Sequence, residues 1–135
     1  MKREIIIRWL KKAESDLRTA KILLDAKDVV TESVCFHCQQ AIEKYLKAFL
    51  TDKDVRFRKV HDLRTLLEMC VQKDREFEKL DKEKISELTF YAVDLRYPEE
   101  FYIPSLEEVK AALEITEEVK KFILKKLNIT EDELK

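Results

Sequence analysis

The segment CFHCQQAIEKYLKAFL, residues 35–50, combines several residue types that do chemistry in proteins. Two cysteines bracket His37, two glutamines follow, and Lys44 and Lys47 come after them. Cysteine and histidine at short spacing are typical metal ligands, whereas ammonium groups form strong hydrogen bonds with phosphate. The segment therefore raises three readings: half of a metal site, an anion-binding strip, or the solvated edge of a core helix.

The cysteine pair does not predict a metal site. A structural zinc ion needs four ligands, and the strong signal is two separated pairs, whereas the sequence offers only Cys35 and Cys38 at this spacing. Cys38 also lies on the apolar stripe of its predicted helix, and cysteine is a common core residue. We therefore expect no metal and no cofactor. The odd count of three cysteines favours reduced thiols and a cytoplasmic location.

Helical geometry groups the polar residues of the same segment. At about 100° per residue, His37 and Lys44 fall together at one edge of the apolar arc, with Gln40 and Lys47 just beyond them. Phe36 is apolar on this otherwise polar side, which indicates contact with a partner. The alternative is a solvated flank whose lysines extend along the helix surface.

Two further polar groups lie at predicted helix ends. His61 follows the basic sequence RFRK and precedes a short helix, and Arg96 ends another helix beside an aromatic loop. Helix starts offer N–H groups to anions, so we predict that both residues converge with His37 and Lys44 on one pocket for a phosphate-bearing ligand. A simple capping role for His61 and an ion pair for Arg96 are the alternatives.

The composition favours helices to position these groups. Of 135 residues, 45% are apolar and 41% are charged, the net charge is -1, and glycine is absent. Without glycine, the turns of hairpin-rich β folds are hard to build. The balanced charge argues against a domain that grips nucleic acid through bulk charge. Heavy Lys and Glu usage with a single Asn is typical of a thermophilic source.

Apolar periodicity predicts three long helices and two shorter ones. The first two cover about residues 3–26 and 30–51. The predicted caps of the later helices are Asp62 or His61 for the third, Asp81 for the fourth, and Ser105 with Glu108 for the last. We predict one domain over residues 1–135, an all-α, up-and-down four-helix bundle with an additional short helix. Neither a signal peptide nor a membrane span is predicted.

The sequence resembles the HEPN domain family, named as nucleotide-binding in higher eukaryotes and prokaryotes. Four stretches in this order carry the resemblance over nearly the whole chain: AESDLRTAKILL, FHCQQAIEKYLKAFL, HDLRTLL and LRYPEEFYIPSLEEVKAAL. The resemblance implies a helical bundle, commonly a homodimer, often encoded beside a small nucleotidyltransferase as a two-component pair. The motif residues that it carries over are His37, Gln40, Lys44, His61, Arg96 and Tyr97.

Another branch of this family consists of metal-independent ribonucleases, many of them toxins. Their motif is an Arg followed, after four to six intervening residues, by a His, and it lies close to the last long helix. Arg96 corresponds to that Arg, but the window that begins at Phe101 contains no His. Arg56 and His61 satisfy the spacing only in the loop before the third helix, where the family does not keep its motif.

We therefore predict a nucleotide-binding or regulatory HEPN protein that partners a small nucleotidyltransferase. The alternatives are a ribonuclease toxin that acts on RNA through Arg56 and His61 or through Arg96 and His37, and a dimeric scaffold without a ligand. Phe36, Phe101 and Tyr102 would leave apolar surface exposed on a single bundle. They predict a two-fold homodimer.

Overall fold

A computed structural model describes residues 1–94 and 102–135 of the chain. The helices are α1 (Lys2–Leu24), α2 (Thr31–Asp52), α3 (Leu63–Lys73), α4 (Lys82–Glu87), α5 (Thr89–Asp94) and α6 (Leu106–Leu127). Short 3-10 turns cover Arg75–Lys79 and Glu131–Leu134. The predicted all-helical bundle is confirmed, and the described residues contain no strand. No helix among them is long and apolar enough to cross a membrane.

Polar caps start the later helices at the predicted positions. The side chain of Asp62 accepts a hydrogen bond from the Thr65 amide at the start of α3. The side chain of Asp81 accepts one from the Lys84 amide at the start of α4. Ser105 and Glu108 form a complete capping box at the start of α6. These bonds satisfy amide groups that have no partner inside the helix. Each cap therefore fixes where a short connection ends.

The predicted fourth helix is divided in two. Leu88, which is buried, separates α4 from α5. The hydroxyl of Thr89 accepts a hydrogen bond from the backbone N–H of Leu63 at 3.1 Å, so the start of α5 is tied to the start of α3. This contact between helices distant in sequence explains why apolar spacing alone predicted one continuous helix.

The helix α2 lies at the centre of the bundle and packs against α1, α3, α5 and α6. A helix surrounded by neighbours is expected to be apolar around most of its circumference. The buried residues of α2 nevertheless include Gln39, Glu43 and Lys47. Their burial requires polar partners, and these partners form the candidate site.

Candidate ligand-binding site

Asp16 is the first of two buried carboxylates in the candidate site, and it lies between α1 and α2. Its side chain lies on α1 with 9% of the residue exposed. His37 Nδ1 lies 2.9 Å from one carboxylate oxygen, and the Lys44 ammonium donates to the other. His37 and Lys44 are two helical turns apart on α2, so Asp16 holds both from across the helix interface.

Glu43 is the second carboxylate, and only 5% of it is exposed. It accepts hydrogen bonds from Lys47 Nζ at 2.8 Å and from Gln39 Nε2 at 3.3 Å. His61 Nδ1, from the residue before the cap of α3, lies 3.0 Å from the same carboxylate. A buried charge is tolerated when it is paired and hydrogen-bonded, and Glu43 meets both conditions.

Two amides extend the hydrogen bonding of Glu43 towards the edge of α2 that carries His37 and Lys44. Gln40 lies on the same edge of α2 as His37 and Lys44, and its Nε2 donates to Gln39 Oε1 at 2.7 Å. Gln39 in turn donates to Glu43. We call the combined set the polar ribbon, which consists of Asp16, His37, Gln39, Gln40, Glu43, Lys44, Lys47 and His61.

Both histidines of the polar ribbon are held through Nδ1 and leave Nε2 available to a ligand. An ionised carboxylate only accepts hydrogen bonds, so Nδ1 of His37 and of His61 carries a proton and donates to it. Neither Nε2 has a hydrogen-bond partner among the described residues. Each Nε2 therefore remains available as an acceptor in the neutral ring or as a donor in the charged ring. His61 is much the more open of the two, with 71% of its side chain exposed.

Lys47 faces inward and fastens the loop that follows α2. Its Nζ lies 5.5 Å from the Trp9 ring centroid and 5.6 Å from that of Phe57. The two rings meet edge to face at 5.8 Å. Such contacts between a cation and aromatic rings stabilise by about 0.5–2 kcal/mol each. Lys47, which the sequence placed among the ligand-binding residues, therefore ties the Phe57 loop to α1 and α2.

The same loop exposes Arg56, Arg58 and Lys59 close in sequence to His61. None of the three forms an ion pair with a carboxylate of the described residues. Lys59 adopts a left-handed conformation with φ of 63°, in the turn closed by the hydrogen bond from the Val60 amide to the Phe57 carbonyl. The chain has no glycine to relieve such a position.

Two predicted ligand-binding residues, Arg96 and Tyr97, lie outside the described residues, as does the predicted interface residue Phe101. Convergence of His37, Lys44, His61 and Arg96 on one pocket therefore stays a prediction. Within the described residues, His37 and Lys44 meet on Asp16, whereas His61 meets Lys47 on Glu43.

The structure describes the other two predicted interface residues, Phe36 and Tyr102. Phe36 is half-buried, and its ring packs edge to face on the His37 ring at 5.4 Å. Tyr102 is exposed, its ring contacts Phe90 at 6.1 Å, and its hydroxyl donates to Glu108. The structure thus places Tyr102 beside further exposed apolar side chains rather than alone.

The cysteines are core residues. Cys35, Cys38 and Cys70 are all buried and free. Burial raises the pKa of the Cys35 thiol to about 12 and that of Cys38 to about 11. In the parts of the chain that the structure describes, no group of three or more His, Cys, Asp or Glu side chains is placed to hold a metal ion.

Sequence reasoning missed the two carboxylates that organise the polar ribbon. Asp16 falls on the side of α1 that carries Ala13 and Ala20, both of which are buried. Glu43 lies among the buried residues of α2. A charged residue at a position that faces the core is a signal for a buried partner, and it could have identified both.

The model of the family described as HEPN domain matches residues 6–127, which is most of the chain. The matched range contains both carboxylates and all described members of the polar ribbon. No curated protein and no solved structure gave a significant match.

Proposed function

Because this chain belongs to the HEPN domain family, we propose that it is a nucleotide-binding, regulatory partner of a small nucleotidyltransferase in a two-component module. The polar ribbon is the proposed nucleotide site. The observation that carries the proposal is the orientation of His37 and His61, each fixed through Nδ1 by a buried carboxylate with Nε2 left available.

The chemistry of the polar ribbon suits a phosphate-bearing ligand. Lys44 pairs with Asp16 and keeps 21% of its side chain exposed, so a ligand can reach this side chain from solvent. Gln40 supplies an amide on the same edge, and the exposed Arg56 and Arg58 add positive charge close in sequence to His61. Hydrogen bonds from cations to phosphate are roughly twice as strong as neutral ones.

Calorimetry with ATP and GMP tests the nucleotide site. His61→Ala removes an exposed side chain and leaves the Glu43–Lys47 pair intact, so the fold should survive. Lys44→Met removes the ammonium that would contact phosphate. We expect each change to weaken binding by about tenfold or more. Lys73→Met, an exposed lysine on α3, is the matched control and should bind as the wild type does.

The outcome that contradicts the nucleotide site is binding that neither Lys44→Met nor His61→Ala alters, or no binding of either nucleotide by the wild type. Thermal melts of every variant separate loss of binding from loss of folding. Added salt should weaken genuine phosphate binding, because exposed charges are screened.

The partner half of the proposal has its own experiment. We expect a small nucleotidyltransferase to be encoded beside this chain, and the two proteins are co-expressed and analysed by size-exclusion chromatography with light scattering. We expect one complex of defined stoichiometry. Separate elution of the two proteins at micromolar concentration would refute the partnership without affecting the nucleotide site.

Ribonuclease activity is the second candidate, and the Glu43–His61 pair favours it. A histidine oriented by a carboxylate can act as a general acid or base, and a nearby Arg can stabilise charge on phosphorus. Under this candidate, Arg56 and His61 act on RNA without metal. Cleavage of a labelled single-stranded RNA in EDTA, abolished by His61→Ala and retained by Lys73→Met, would support it. Absence of cleavage at high protein concentration would exclude it.

A further inference from the structure

A second polar cluster lies on the other side of α1 from the polar ribbon. Glu14 and Asp16 are two residues apart, about 200° around the helix, so they face different neighbours. Glu14 borders a cavity of about 320 Å³ that lies among residues of α1, α6 and the C-terminal 3-10 turn. The cavity is lined by more cations than carboxylates: Arg18, Lys21, Lys120 and Lys135 against Glu14 and Glu131.

Lys120 is the buried centre of this cluster, with 8% of the residue exposed. Its Nζ lies 3.0 Å from Glu14 and 2.6 Å from Glu131. The other carboxylate oxygen of Glu14 accepts the hydroxyl of Tyr45. Glu14 and Lys120 therefore form a compensated pair between two long helices, and this pair does not depend on Glu131.

Glu131 is an additional partner from a short turn. Its side chain is 63% exposed, although its carboxylate reaches the buried ammonium. The hydrogen bond from Lys120 lowers the pKa of Glu131, so the carboxylate stays ionised in this position. Rotation of the exposed Glu131 side chain would move its carboxylate away from the Lys120 ammonium, and another anion could then bind there.

Arg18 supplies the second cation for such a position. It lies one helical turn after Glu14 on α1 and is exposed. Lys21 pairs with Glu117 at 2.5 Å, whereas Arg18 forms no ion pair with a carboxylate of the described residues. The planar guanidinium offers two parallel N–H groups, which match the oxygens of a phosphate.

We propose that this cavity binds a small anion of the phosphate class, held between Lys120 and Arg18 in place of the Glu131 carboxylate. The cavity is at the lower end of the roughly 300–1,000 Å³ usual for ligand pockets, which suits a compact anion. The site is independent of the proposed nucleotide site, because Lys44, His37 and His61 contribute nothing to it.

The test is a titration of the ¹⁵N-labelled protein with orthophosphate and with pyrophosphate at constant ionic strength, followed by amide chemical shifts. The wild type should show saturable shifts around α1 and α6 near the cavity. Glu131→Gln removes the competing carboxylate and should tighten binding several-fold. Arg18→Gln should weaken binding about tenfold. Arg18 has no described partner, so this change should leave the fold intact. Arg8→Gln, another exposed arginine of α1, is the matched control and should bind normally.

Three results would overturn the site. The first is the absence of saturable shifts up to tens of millimolar anion in both the wild type and Glu131→Gln. The second is an affinity that Arg18→Gln does not reduce, or that Glu131→Gln reduces. The third is saturable binding of malonate without binding of orthophosphate or pyrophosphate, because the cavity would then select carboxylate ligands over phosphates.

Discussion

Replacement of Lys47 by Met tests whether the buried pair with Glu43 holds the Phe57 loop in place. Met is nearly the same length and keeps a thioether against the two rings, so the change mainly removes the charge. The Lys47 and Glu43 side chains are 6% and 7% exposed, which puts them in the buried class of ion pairs. Removing one partner of such a pair costs about 3–5 kcal/mol, because the other charge is left uncompensated.

The expected loss is smaller than that range. His61 and Gln39 still donate to Glu43 in the variant, and hydrogen bonds to a charged group are worth about 1.5–3 kcal/mol each. We therefore expect the free energy of unfolding to fall by about 2–3 kcal/mol. For a chain of this size that corresponds to a melting temperature lower by roughly 10 °C.

Urea unfolding followed by fluorescence and circular dichroism measures the effect. Trp9 is the only tryptophan and lies beside both Lys47 and Phe57, so its emission reports on this contact. The double variant Lys47→Met with Glu43→Gln removes both charges and should return to within about 1 kcal/mol of the wild type. Lys11→Met, an exposed lysine of α1, is the control. A single variant as stable as this control, or a double variant no more stable than the single one, would refute the reasoning.

Three further predictions concern acid stability, thiol reactivity and assembly. The hydrogen bond from Tyr102 holds the pKa of Glu108 below its ordinary value of 4.5, so its stabilising contribution is present above that pH and is lost as the pH falls through the lowered pKa. Urea midpoints should show this loss in the wild type and a smaller one in Glu108→Gln, and equal losses would contradict it. The three cysteines are buried with raised pKa values, so Ellman's reagent should react with them only as the chain unfolds; fast reaction of the native protein would be contrary evidence. Phe90, Tyr102 and Ile103 are exposed near one another, so light scattering should find a dimer that Phe90→Ser with Ile103→Ser weakens. A wild-type monomer at micromolar concentration would refute that assembly.

Local signals in the sequence predicted the helices well. Asp62, Asp81 and the Ser105–Glu108 box act within one helical turn of each start, so spacing alone locates them. Only part of the polar ribbon was predictable, because some of its contacts join residues that are distant in sequence. His37 and Lys44 share a helix edge that periodicity reveals, but Asp16 joins them from another helix. That pairing depends on how α1 packs against α2, and the periodicity of a single sequence does not reveal this packing.

The central position of α2 has a consequence for how the molecule opens. The hydrogen-bonded amides in the middle of α2 are covered by α1, α3, α5 and α6, so we expect them to exchange with solvent mainly after a neighbouring helix has moved away. The partner α1 is also its neighbour in sequence, so the α1–α2 hairpin closes over a short loop, whereas α6 begins only at Leu106, far along the chain from the end of α2 at Asp52. We expect hydrogen exchange to be slowest in α2 and faster in α6. Asp16, His37 and Lys44 all belong to the hairpin, so their cluster should persist when α6 detaches, and the cluster of Lys120 should not.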